Sequence, residues 1–157
     1  MATATPSPTP HTAAELEALE RSRRHMLAAV VITSALWLVP PIVQGFAGEA
    51  LPRTLRSVLV LVGVLGALAW MLFMWRFHRF QGRVQNDPAL RAQLDDERIL
   101  ALRRESICRG WMVLVIALGL GIAAAPFTEL PDVALLYALM LVAVNAPILF
   151  FLALDRD

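Results

Sequence analysis

Three consecutive carboxylates, Asp95, Asp96 and Glu97, form the densest acidic cluster of the chain. Paired carboxylates are common tools of general acid–base chemistry. Consecutive helical residues point about 100° apart, however, so these three do not converge on one substrate atom. His25, His78 and Cys108 are the other reactive groups. Two imidazoles and a thiolate can ligate a metal, and two histidines a haem. They stand in no CxxC, HxxxH or HExxH spacing. A single cysteine leaves no intramolecular disulfide and no cysteine-only metal centre. No glycine-rich phosphate loop is present, since Gly82 stands alone. The arginines are interleaved with acids, which argues against direct nucleic-acid contact. The reading is a non-enzymatic protein with no catalytic residues, no metal and no cofactor.

The elements that position these groups are apolar. The chain has 157 residues, 58% of them hydrophobic and 17% charged, against about 45–50% and about 25% in soluble domains. The excess falls in blocks, Met26–Phe46, Ser57–Trp75, Trp111–Phe127 and Val133–Leu154. At helical rise these reach roughly 31, 28, 25 and 33 Å, against a hydrocarbon core of about 30 Å. The expected fold is therefore an all-α membrane protein with four transmembrane helices. Residues 1–11 are expected to form a disordered tail because Pro6, Pro8 and Pro10 block a helix. Residues 12–25 form a helix leading into span 1, and residues 26–157 the transmembrane domain with a loop at 76–110.

Orientation follows from arginine, since the chain has no lysine. Twelve arginines flank one side of the spans, and only Arg53 and Arg56 the other. The positive-inside rule places both termini and the central loop in the cytoplasm. The first span is read as retained, because its apolar block exceeds the ~7–15 residues of a signal peptide.

The soluble segments carry helix signals. Thr12-Ala13-Ala14-Glu15 matches a capping box. Glu17–Arg21 and Glu20–Arg24 have the spacing of favourable i,i+4 pairs. Leu16 and Leu19 share a face and offer either a plain stalk or a contact for the central loop. Nine of the 27 charged residues lie between Gln85 and Ser106. Asp87-Pro88 reads as a helix start, and nothing breaks a helix from there to Cys108. Leu90, Leu94, Ala101 and Cys108 give only a narrow apolar stripe. Charge pairs such as Glu105/Arg109 surround it, as on a solvated helix or one docked on protein.

The spans hold no Asp, Glu, His or Arg, which disfavours an ion-coupled pathway. Thr33 and Ser34 should lie roughly 11–12 Å into span 1, and Asn145 roughly 14 Å from the same face in span 4. Spans 1 and 4 are therefore expected to be neighbours, with Asn145 bonded to Thr33 or Ser34. The alternative gives Asn145 to the Ala143 carbonyl left free by Pro147. Gly63-x-x-x-Ala67, Gly119-x-x-x-Ala123 and Gly121-x-x-x-Ala125 predict a contact between spans 2 and 3, or an oligomer face. Pro40, Pro41 and Pro147 should bend their helices. Trp70, Trp75, Phe77, Phe80 and Trp111 read as an interfacial aromatic belt. Arg23, Met26 and Pro40 recur as Arg109, Met112 and Pro126, which raises a parallel repeat of two hairpins.

The stretch DDERILALRRES, running into a span that opens with Gly-Trp, resembles small bacterial inner-membrane proteins of unknown function. In those a DER segment precedes a hydrophobic hairpin. The resemblance covers Asp95 to Phe127 and implies no activity, but some such proteins accompany cytosolic transcription regulators. The expected function is a non-enzymatic interaction or regulatory protein of a bacterial inner membrane that binds a partner through its cytosolic helices, one version being sequestration of a soluble regulator. Its partner surface comprises Leu90, Leu94, Asp95, Asp96, Glu97, Arg98, Arg103 and Arg104, facing a cytosolic or membrane protein. The competing expectation is a small transporter or channel subunit acting as a homo-oligomer, with a polar face at Thr33, Ser34, Gln44 and Asn145.

Overall fold

The computed structural model describes residues 12–87, 97–124 and 131–155. The amino-terminal tail through His11, and Leu90, Leu94, Asp95 and Asp96, lie outside the described residues. The described residues form four long helices: α1 (Ala13–Ala47), α2 (Arg53–Asn86), α3 (Glu97–Ala124) and α4 (Asp132–Leu154). Each is long and apolar enough to cross a membrane. Their outward faces carry bare apolar side chains, among them Val60, Val64 and Leu68 of α2 and Val115 and Ile122 of α3. A helix can face lipid this way because its backbone groups are bonded internally.

The first helix starts where its capping box sits. Thr12 Oγ1 accepts from the Glu15 amide, and the Thr12 amide donates to Glu15 Oε2 at 2.9 Å. From there α1 runs unbroken through Pro40 and Pro41. At its end Gly48 takes φ +54°, a left-handed turn that a side chain would strain. A short 3-10 turn, Gly48–Ala50, follows. Arg56 secures it by donating to the Gly48 carbonyl at 3.1 Å.

Packing runs in the order α2, α1, α4, α3: α1 packs on α2 and on α4, and α4 on α3. No comparable packing joins α2 to α3. The expected contact between spans 2 and 3 is therefore replaced by contacts of each with its own hairpin partner. The glycines show why. A Cβ on Gly66 would stand 2.8 Å from the Leu36 carbonyl carbon and the Trp37 nitrogen of α1. Gly63 faces Pro40 of α1, and Gly121 faces Leu135 of α4. Small residues permit close approach without naming the neighbour. The parallel repeat also finds no support, since it would pair α2 with α3 as α1 pairs with α4.

Two further glycines seat α4. A Cβ on Gly45 would meet Ala134 Cβ at 2.5 Å, and one on Gly110 would meet Pro147 Cγ at 2.5 Å. Pro147 thus lies inside a continuous α4 as a knob in a hole on α3. Trp70 departs from the interfacial belt. Its ring packs on Trp37 of α1, with centroids 5.8 Å apart.

Candidate functional site

Two buried polar regions can be built from the sequence upward. The first lies inside the apolar layer between α1 and α4. Ser34 is fully buried, and Asn145 is 7% exposed. Asn145 Nδ2 donates to the Leu141 carbonyl at 2.8 Å, which turns Oδ1 towards α1. Ser34 Oγ then donates to Asn145 Oδ1 at 2.6 Å. The Val31 carbonyl, 2.8 Å from the same hydroxyl, is a second acceptor for that single proton. Matching depths thus locate a true cross-helix bond, with Leu141 rather than Ala143 taking the amide proton. Thr33 turns away and donates to the Ala29 carbonyl at 2.7 Å. These groups satisfy one another and the backbone. They do not line the cavity that all four helices share.

That space lies at the arginine-rich end. It is a cavity of about 270 Å³ to which all four helices contribute. Its walls are mainly apolar, with Leu27 and Val30 from α1, Met74 and Phe77 from α2, Ile107 from α3 and Phe151 from α4. Among the described residues α2 and α3 flank the α1–α4 pair without packing on one another as closely as each packs on its hairpin partner, which leaves this space between them. The α2 wall is set by an apolar stripe beyond the expected end of span 2. Val84 is buried, and Phe80, Leu16 and Leu19 pack against it. The stalk on α1 therefore contacts the segment read as the central loop. Phe77, Phe80 and Val84 are spaced for one helical face, so the two phenylalanines expected in an interfacial belt instead join Val84 in an inward stripe among Arg76, Arg79 and Arg83.

The polar groups bordering the cavity are Glu20, Arg23, Gln81, Arg103 and Ser106. Arg23 is the unusual one. Its side chain is only 13% exposed, and its Nε is buried without an acceptor. A buried unsatisfied donor costs about 1–3 kcal/mol. Its nearest carboxylate oxygen, Asp155 Oδ2, lies 3.8 Å away. Arg24 already holds that oxygen at 2.8 Å and donates to the Asp155 carbonyl at 2.8 Å. The expected Glu20–Arg24 pair is thus replaced by a link from α1 to the end of α4, whereas Glu17–Arg21 forms at 2.7 Å. The Arg23 guanidinium lies 5.3 Å from the Phe151 ring centroid, a cation–π contact. Ser106 donates to the Arg103 carbonyl at 2.8 Å.

Of the expected partner surface, Glu97, Arg98, Arg103 and Arg104 are exposed on the first turns of α3. Arg103 alone of these four borders the cavity. Glu105 and Arg109 pair further along α3. His25, His78 and Cys108 are exposed on three different helices. Among the described residues no three His, Cys, Asp or Glu side chains converge as metal ligands. No protein-family model, curated protein or solved structure matches the chain.

Proposed function

We propose that this chain is a non-enzymatic interaction or regulatory protein of a bacterial inner membrane, with both termini and the arginine-rich end in the cytoplasm. The observation that carries the reading is the packed helical head. Leu16 and Leu19 of α1 hold Phe80 and Val84 of α2 beyond the apolar spans. A plain link would need far fewer ordered residues. The arginine asymmetry supports the orientation. The exposed mixed-sign face of Glu97, Arg98 and Arg104 suits a protein partner, for which charge sets register and encounter rate more than strength. The bonded state of Ser34 and Asn145 gives no support to a transport path through them.

The test is a pull-down in gentle detergent with wild type and a Glu97→Ala/Arg98→Ala/Arg104→Ala variant. Labelling of Cys108 by an impermeant maleimide, in inverted vesicles only, checks the orientation of both. A soluble protein captured by wild type and lost from the variant supports the reading. Capture of the same proteins by both chains contradicts it.

A further inference from the structure

We propose that the cavity at the arginine-rich end takes an acyl chain of an anionic membrane lipid, whose phosphate is held by Arg23 and Arg103. The inference needs the membrane setting but not the protein partner. Four observations carry it. The cavity walls are apolar side chains from all four helices. Its volume of about 270 Å³ falls just below the ~300–1,000 Å³ of small-molecule sites, which suits one chain rather than a whole lipid. It lies where the apolar spans give way to arginines, the level of lipid headgroups. Its border is cationic, with Arg23 and Arg103 against Glu20.

The donors are available. Arg23 Nε has no acceptor although it is buried, and Asp155, which lies 3.8 Å from Arg23 Nη2, is held more closely by Arg24 at 2.8 Å. Arg103 has no ion pair among the described residues. A guanidinium fork matches a phosphate by paired hydrogen bonds. The sparse packing between α2 and α3 among the described residues offers a side entrance from the bilayer. Pockets between membrane helices lined by basic residues on the cytoplasmic face hold lipid headgroups in this way.

The experiment is native mass spectrometry of the full chain, released from detergent holding equal amounts of phosphatidylglycerol and phosphatidylcholine with identical acyl chains. Wild type should retain one phosphatidylglycerol, preferred by about tenfold, given the attraction of each arginine near the surface. An Arg23→Gln/Arg103→Gln variant should lose the preference. An Ile107→Trp variant, which fills the cavity and keeps both arginines, should lose the bound lipid. Equal retention of both lipids by wild type overturns the proposal without requiring any variant to fold. Undiminished retention by the folded Ile107→Trp chain also overturns it and leaves the cavity to a protein segment. The pull-down result is independent of either outcome.

Discussion

The Ser34–Asn145 contact and the surroundings of Arg23 both bury polar groups between α1 and α4, yet they are built oppositely. Asn145 uses its amide and its carbonyl oxygen, and Ser34 has two acceptors within reach of one proton. Arg23 keeps a buried Nε with no acceptor beside an apolar cavity. Satisfied buried polarity holds helices in register. Unsatisfied buried polarity next to open space is a standing cost that a ligand can relieve. Trp37 and Trp70 also bury an unpartnered Nε1 but do not line the cavity, so it is the open space beside Arg23 that separates a candidate site from structural glue.

The largest effect should come from the packing that frames both regions. Gly66→Leu forces a side chain into the α1 backbone near Leu36 and Trp37. Overpacking of this kind costs about 1–3 kcal/mol or more. Thermal unfolding of the purified variant should show a clear loss. Gly119→Leu, where nothing lies within 4 Å, should leave the transition nearly unchanged.

A smaller effect is expected from Arg23→Met. It removes the unsatisfied donor and keeps much of the side-chain volume, while Asp155 retains Arg24. The relief is offset by loss of the Phe151 cation–π contact and the long Asp155 pair, so in neutral lipid the variant should melt within about 1 kcal/mol of wild type. A marked fall would show that Arg23 is satisfied in the membrane by a group of the chain itself.

The smallest effect belongs to the cross-helix bond. Asn145→Leu should destabilise by about 0.6 kcal/mol, the average for such bonds in membranes. Ser34 is not orphaned, because the Val31 carbonyl can take its proton. A double-mutant cycle with Ser34→Ala isolates the pair. A coupling near zero would reduce the contact to packing alone.

The apolar layer was readable from residues because a single variable, distance along a helix, set the level of Thr33, Ser34 and Asn145. Constant rise then made α1 and α4 neighbours. The capping box at Thr12 and Glu15 was equally local. Helix order was not legible, because Gly63, Gly66 and Gly121 permit close approach to any smooth surface and specify none. Arg24 was misassigned for a related reason. Its local partner Glu20 is visible in sequence, whereas Asp155 becomes its neighbour only after the whole bundle closes. The cavity depends on the same closure. It arises where α2 and α3 pack far less on one another than on their hairpin partners, and no spacing within one helix records that difference.

One measurement tests the contrast most directly. Wild type, Arg23→Met and Asn145→Leu would be melted in phosphatidylcholine, with and without added phosphatidylglycerol. A ligand that binds the folded state raises its stability by mass action. The account predicts that phosphatidylglycerol raises the melting temperature of wild type and Asn145→Leu but not of Arg23→Met. An equal rise in all three would contradict it, and would return Arg23 to the general surface charge of the protein.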